Sequence, residues 1–165
     1  YPLSLHDALP IFRLYGPVYS EDPEMKCLPW RTEFNADQKS LESAGVIAQH
    51  ILEDLTQAEE LLKDDPLNYK NDLNNPFLGL RKHRMNKMAV KALMARVYLW
   101  IGDKENAALK AKEVIEQCGL ELVISNIQDA SLYDETIFCL GMDDMANKLK
   151  DDWKSINPLL PWINP

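Results

Sequence analysis

The sequence predicts a mainly α-helical fold with long irregular connectors and one or two short strands after residue 119. Apolar residues recur at steps of three and four in three separate segments, which is the spacing of one helix face. The 165 residues include ten Pro but only six Gly, a balance that favours helices joined by stiff connectors over a turn-rich β fold. No apolar run reaches the roughly 18 residues that a membrane-spanning helix needs.

The first predicted helix covers residues 40–63. Ser40 is suited to cap its start, because a serine side chain can accept a hydrogen bond from the first turn. Asp65 and Pro66 are expected to end it, since the residue before a proline avoids the helical region. The apolar face consists of Leu41, Ala44, Ala48, Ile51, Leu55, Ala58 and Leu62.

Two further helices are predicted at residues 86–101 and 104–117, joined as an αα-hairpin. Gly102 is placed to end the first of them, because glycine adopts the left-handed conformation at little cost. Asp103 is expected to cap the second, and Gly119 to end it. Small residues on the first helix of the pair allow a neighbouring helix to approach closely, and they are Ala89, Ala92 and Ala95.

The remaining segments are predicted to be connectors and short elements. Residues 12–34 contain three Pro and indicate an extended connector, and residues 67–84 form a polar connector without periodicity. Short strands are predicted at residues 120–124 and 137–140, and a short helix at residues 143–153.

The amino-terminal segment 1–11 (YPLSLHDALPI) resembles translated sequencing-adapter read-through, and we expect it to be non-native. The alternative is a genuine amphipathic segment. Residues 12–165 are then a partial helical domain, truncated at both ends, since the chain opens at Tyr1 and its first methionine is Met25. For such a fragment we expect exposed apolar surface where missing helices belong, along Leu41, Ile51, Leu55 and Val97.

Charge and motif content exclude several classes of function. The net charge of -8 argues against nucleic-acid binding, which needs a basic face. Cys27, Cys118 and Cys139 lack metal-ligand spacing and are too few for a disulfide framework, so we expect inert core thiols. The sequence has no P-loop, G-x-S-x-G or H-E-x-x-H motif, and no cofactor or metal is expected.

The local set that best fits ligand chemistry is Trp30 with Arg31, beside Glu33 in a proline-flanked loop. Sugar rings stack on aromatic faces while polar side chains reach their hydroxyls, so Trp30 and Arg31 are the candidate ligand-binding residues. Packing of Trp30 against the helices is the favoured alternative.

The basic run at residues 81–84 is interpreted as a solvated surface. His50 and His83 have no paired acid in any recognisable motif, so the sequence supports no general-base role for them. The acidic pairs at residues 64–65, 143–144 and 151–152 are interpreted as surface charges and as residues that mark the ends of helices.

The helix pair resembles a tetratricopeptide repeat, which implies a tetratricopeptide-like α-α superhelix. Lys91 stands where that repeat usually has Trp, and the 34-residue unit does not recur at a fixed period. Positions that fit the repeat are Ala95, Tyr98, Gly102, Ala107 and Ala111.

The order of elements is similar to that of the SusD/RagB family of outer-membrane nutrient-uptake lipoproteins, from residue 12 to about residue 142. The similarity extends through the Gly102-Asp103 turn and into the helix that follows it. The segments that carry it are residues 13–18 (RLYGPV), 51–58 (ILEDLTQA), 86–99 (NKMAVKALMARVYL) and 135–138 (ETIF).

This resemblance implies a surface lipoprotein, anchored in the outer membrane through an N-terminal lipidated cysteine outside this sequence. Such proteins cover a TonB-dependent transporter and bind a glycan or oligosaccharide for import without acting as enzymes. One alternative is a generic tetratricopeptide-like scaffold that binds a protein partner in a helical groove. A third reading, glycoside hydrolysis, needs two carboxylates at a set separation in a cleft, and the sequence does not place such a pair.

Overall fold

The computed structural model describes residues 5–31, 39–66, 75, 78, 81–120 and 135–139, and it confirms the mainly α-helical prediction. Within these ranges no helix is both long and apolar enough to cross a membrane. The elements in chain order are α1 (Leu5–Tyr15), β1 (Lys26–Leu28), β2 (Glu42–Ser43), α2 (Ala44–Leu61), a 3-10 turn (Arg81–His83), α3 (Lys87–Ile101) and α4 (Lys104–Gln117).

Helix α1 packs its apolar face into the core. Leu9 is 1% exposed and Phe12 is fully buried in the cluster that α1 forms with α2 and α3. The prediction of an extended connector from residue 12 is therefore wrong for residues 12–15, which complete this helix. The boundary expected between residues 11 and 12 falls inside α1, and the non-native origin of residues 1–11 stays a prediction.

Helix α2 begins at Ala44, later than predicted, because the residues before it form a strand. Glu42 and Ser43 pair antiparallel with β1, and the side chain of Ser43, not Ser40, accepts from Val46 N at 3.4 Å. The first two backbone amides of α2 donate to carbonyls of the loop that precedes β1. Ala44 N donates to Met25 O at 3.0 Å, and Gly45 N donates to Pro23 O at 2.7 Å.

The αα-hairpin is confirmed almost residue by residue. Asn86 caps α3 by accepting from Ala89 N at 2.9 Å, and Asp103 caps α4 by accepting from Asn106 N at 3.0 Å. Gly102 joins the helices with a φ of 86°, and Gly119 follows α4 with a φ of 63°. Both glycines therefore occupy the left-handed region that the sequence predicted for them.

The core lies where α1, α2 and α3 meet, and a smaller cluster of Met88, Val114 and Cys118 joins α3 to α4. Ile51 is 1% exposed, and Leu55 and Val97 are fully buried. The expectation of exposed apolar surface at these three residues is wrong, because α1, α2 and α3 cover one another there. Leu41 is 49% exposed, as expected.

An ionic junction holds α2 against the hairpin. Lys91 of α3 is 6% exposed, and its ammonium lies 2.7 Å from Glu113 Oε2 on α4 and 3.7 Å from Glu59 Oε1 on α2. Lys110 of α4 completes the junction at 2.8 Å from Glu59 Oε2. Lys91 thus ties three helices together at the position where a tetratricopeptide repeat has a tryptophan.

The interpretation of residues 81–84 as a solvated run is wrong for Arg81 and Lys82, whereas Arg84 is exposed. Arg81 and Lys82 are each 3% exposed, and Arg81 forms an ion pair with Asp65. The guanidinium also donates to the carbonyl of Met85 at 3.1 Å. The side chain of Asp65 is only 2% exposed, so its interpretation as surface charge is wrong. Burial is tolerated because the two opposite charges and the carbonyl compensate one another.

Residues 135–139 lie against the turn that precedes α3, and the strand predicted at residues 137–140 is absent from its described part, residues 137–139. Asn86 Nδ2 donates to Ile137 O at 2.9 Å, and Cys139 N donates to Lys82 O at 2.8 Å. The segment thus bonds to a side chain and a 3-10 turn instead of to a strand. Apart from Leu120, the strand predicted at residues 120–124 and the helix at residues 143–153 lie outside the described residues.

Candidate functional site

A surface groove runs along one side of α2, and we call it the α2 groove. It encloses about 750 Å³. Its apolar part is formed by Ala48 and Leu52 of α2, Ile101 at the end of α3, and Tyr19 from the loop after α1. Polar side chains of α2 line the rest, and they are Gln49, Glu53, Thr56, Gln57 and Glu60.

The polar side of the groove follows from helical spacing. Gln49, Glu53 and Gln57 lie four residues apart, so their side chains fall on one helix face. Gln49 Nε2 donates to Glu53 Oε1 at 2.7 Å, and this hydrogen bond holds the amide and the carboxylate next to each other. Amide and carboxylate groups beside an apolar surface and an aromatic ring suit a polyhydroxylated ligand, whose rings have apolar faces and hydroxyl edges.

Trp30 is connected to this groove through His50. The two rings stack with centroids 4.9 Å apart at an interplanar angle of 17°. His50 Nε2 lies 3.2 Å from Glu42 Oε2, and His50 Nδ1 lies 3.6 Å from Glu53 Oε2. Glu53 therefore belongs both to the groove and to the group of polar contacts around His50.

The structure places the two candidate ligand residues at the edge of the core. Trp30 is half-buried and packs against the cluster formed by α1, α2 and α3, while Arg31 beside it is also half-buried. Glu33 lies outside the described residues. Their role in ligand binding stays a prediction, and the packing seen for Trp30 agrees with the favoured alternative.

Sequence reasoning missed the acids around His50. Glu42 belongs to strand β2, and Glu53 lies three residues after His50 in α2. The three residues therefore form no contiguous motif that the sequence could show. The four-residue spacing of Gln49, Glu53 and Gln57 was the available signal for the groove, since it marks a polar stripe beside the apolar face of α2.

Other aromatic and thiol side chains make contacts outside the α2 groove. The guanidinium of Arg13 lies 5.0 Å from the ring centroid of the half-buried Trp100. Cys139 Sγ lies 3.4 Å from His83 Nδ1, a neighbour that the sequence did not predict. Burial raises the pKa of the Cys27 thiol, and a hydrogen bond with the Leu28 backbone acts in the opposite direction. Trp153 and Trp162 lie outside the described residues.

Among the residues that the structure describes, no group of three or more His, Cys, Asp or Glu side chains could hold a metal ion. The α2 groove itself is lined by aliphatic, aromatic, amide, hydroxyl and carboxylate side chains.

Comparison with protein-family models and with curated proteins finds no match. Among solved structures, a SusD superfamily protein from Bacteroides thetaiotaomicron VPI-5482 matches 73% of this chain with a TM-score of 0.57. The chain has a SusD-like fold. The two sequences are 21% identical, and the match spans 24% of that protein's chain, about a quarter of its length. The SusD-like similarity expected from the order of the helices is thus confirmed at the level of the fold.

Proposed function

We propose that this chain belongs to a non-catalytic, surface-exposed component of an outer-membrane nutrient-uptake system, which binds a glycan or oligosaccharide. In this proposal the whole protein is a RagB-like lipoprotein, held in the outer membrane by a lipidated N-terminal cysteine. It acts beside a TonB-dependent transporter, needs no cofactor, and passes its ligand on unchanged.

The observation that carries this proposal is the SusD-like fold, which extends over 73% of the chain. The order of elements supports it, because the helix around residues 51–58 precedes the hairpin of α3 and α4 as the family resemblance requires. The solved structure supports the fold of this chain, and the role proposed for it is the one that the family resemblance implies.

The α2 groove is the proposed contact surface for the saccharide. Its apolar part, Ala48, Leu52 and Ile101, suits the face of a sugar ring, and Gln57 and Glu53 can reach ring hydroxyls. Trp30 is connected to it through the stack on His50, which places an aromatic ring near the groove, and Arg31 follows Trp30 in the chain.

The test is a glycan array followed by calorimetric titration with the wild-type chain and two variants. Gln57→Ala removes an amide from the groove, and we expect it to weaken saccharide binding several-fold, because a lost hydrogen bond is worth about 1 kcal/mol. Glu105→Ala, at an exposed residue of α4 outside the groove, is the control and should bind as the wild type does. Equal affinities of all three proteins would remove the groove from the proposal, and absence of saccharide binding by the wild type would remove the function.

A further inference from the structure

Among the described residues, the charged side chains that line the α2 groove are all acidic. Glu53 and Glu60 of α2 contribute carboxylates to its wall. A third carboxylate comes from the loop after α1, since Glu24 Oε1 lies 4.0 Å from the point where a Cβ would stand on Gly45, another lining residue. The groove therefore presents a negative potential to a ligand that enters it.

Neighbouring groups compensate this negative charge only in part. Glu53 Oε1 accepts from the neutral amide of Gln49, and Glu53 Oε2 lies 3.6 Å from His50 Nδ1, which is beyond hydrogen-bond distance. Glu60 Oε1 pairs with Lys63 at 3.1 Å, but the two side chains are 75% and 62% exposed. Such an exposed pair is weak, because water and salt screen it. A cationic group in the groove can therefore still gain energy from both carboxylates.

The two carboxylates of α2 are spaced so that they can meet separate cationic groups of one ligand. Glu53 and Glu60 lie two helical turns apart on one face of α2, which separates them by about 10.5 Å along the helix axis. The ring of Tyr19 also lines the groove, and an aromatic face attracts ammonium groups. A chain of sugar rings that carries several ammonium groups matches this arrangement.

We propose that the α2 groove selects oligosaccharides that carry free amino groups and disfavours those that carry carboxylates. The inference rests on the saccharide binding proposed for this groove, and it names the class of sugar. An ammonium in place of a ring hydroxyl remains a hydrogen-bond donor and adds charge attraction to Glu53 and Glu60. A uronic acid brings a further negative charge towards them and is repelled.

The experiment is calorimetric titration of the whole 165-residue chain with three β-1,4-linked tetrasaccharides that share one backbone. They are cellotetraose, the glucosamine tetramer with an amine at each C2, and the glucuronic acid tetramer with a carboxylate at each C6. At about pH 6 these amines and carboxyls are charged. At low salt we expect the glucosamine tetramer to bind about fivefold more tightly than cellotetraose, and the glucuronic acid tetramer about fivefold more weakly.

Salt provides a test that needs no variant. About 0.5 M sodium chloride should reduce both affinity ratios below about twofold, because it screens charges that are exposed to solvent.

Two double variants test whether the preference arises in the groove. Glu53→Gln with Glu60→Gln keeps the side-chain shape and removes both charges, and it should reduce the preference of glucosamine over cellotetraose below about twofold. Glu105→Gln with Glu116→Gln is the control, since it makes the same change in net charge at exposed residues of α4 outside the groove. The control should keep the preference of the wild type. Circular dichroism of both variants checks that they are folded.

Three results would overturn the inference: equal affinity of the wild type for the three tetrasaccharides, tightest binding of the glucuronic acid tetramer, or an equal loss of preference in the two double variants. No binding of the glucosamine tetramer would also overturn it. If cellotetraose or another neutral sugar still binds, the proposed function stands without this specificity. If no saccharide of the array binds, the proposed function fails as well.

Discussion

The carboxylate of Asp65 joins two segments that are distant in sequence. One oxygen pairs with the Arg81 guanidinium, and the other accepts from the backbone amide of Lys87 at 3.0 Å, in the first turn of α3. Both side chains are nearly inaccessible, at 2% for Asp65 and 4% for Arg81. Removing one partner of such a pair leaves an uncompensated buried charge, which is the costly case for ion pairs.

We therefore expect Asp65→Ala to lower the free energy of unfolding by about 3–5 kcal/mol, because Arg81 loses its counter-charge and α3 loses a cap. Urea denaturation gives this value directly. Asp64→Ala, at the neighbouring exposed aspartate, is the matched control and should change stability by less than about 0.5 kcal/mol. Similar losses in the two variants would contradict the importance of the buried pair.

A second prediction at the residue scale concerns pH. A hydrogen bond from Lys91, aided by the charge of Lys110, lowers the pKa of Glu113 below its ordinary value of 4.5. A carboxyl with a lowered pKa in the folded state stabilises the protein above its unfolded pKa. This stability is lost as the pH falls through the folded pKa, so the window lies below about pH 4.5.

Replacing the ammonium in Lys91→Met should raise the pKa of Glu113 towards 4.5 and shrink the loss of stability in that window. An NMR titration of the Glu113 carboxyl carbon measures the shift. Lys112→Met removes a cation that pairs with Glu116 instead, at 3.7 Å, and is the control. An unchanged Glu113 titration in Lys91→Met would show that Lys91 does not lower this pKa.

At the scale of elements, the hairpin depends on one left-handed residue. Gly102 has a φ of 86°, and a Cβ built there meets no atom within 4 Å. Gly102→Ala should therefore cost about 1–2 kcal/mol of unfolding free energy from backbone strain alone. Gly45→Ala, inside α2, is the comparison, since its Cβ meets Pro23 O at 3.4 Å and the helical backbone accepts alanine.

Thermal or urea denaturation of the two glycine variants separates these effects. We expect Gly102→Ala to be less stable than the wild type, and Gly45→Ala to be neutral or stabilised by up to about 1 kcal/mol. A Gly102→Ala protein as stable as the wild type would mean that the turn can relax out of the left-handed conformation.

Elements bounded by local signals could be predicted from the sequence, and those bounded by distant partners could not. The limits of α3 and α4 follow from Asn86, Gly102 and Asp103, which act on their own helices. The start of α2 was misplaced because β2 exists only through its pairing with β1, 14 or more residues earlier in the chain. Helix α1 was not predicted, because residues 1–11 were interpreted as non-native and Pro17 and Pro23 dominated the pattern of residues 12–34.

The candidate site was predictable in part, for the same reason. Trp30 could be singled out by its residue type, but its stack on His50 and the contact of His50 with Glu42 depend on the packing of α2 beside the β-sheet. The buried pair of Asp65 and Arg81 could not be predicted either, because the two charges lie 16 positions apart in the sequence.

At the scale of the whole molecule, the described helices form two surfaces with different chemistry. The α2 groove combines amides, carboxylates and an aromatic ring, whereas the surface between α3 and α4 is mainly apolar and is bordered by Arg96 and Lys104. The core of α1, α2 and α3 supports the first, and the tight hairpin supports the second.

The most direct test of the central claim is calorimetric titration of the purified protein with a panel of oligosaccharides, with chromatography of each sugar afterwards. The account predicts saturable binding of at least one oligosaccharide, and recovery of that sugar at its original chain length. A protein that binds none of the panel, or that returns shortened sugars, would contradict a non-catalytic glycan-binding role.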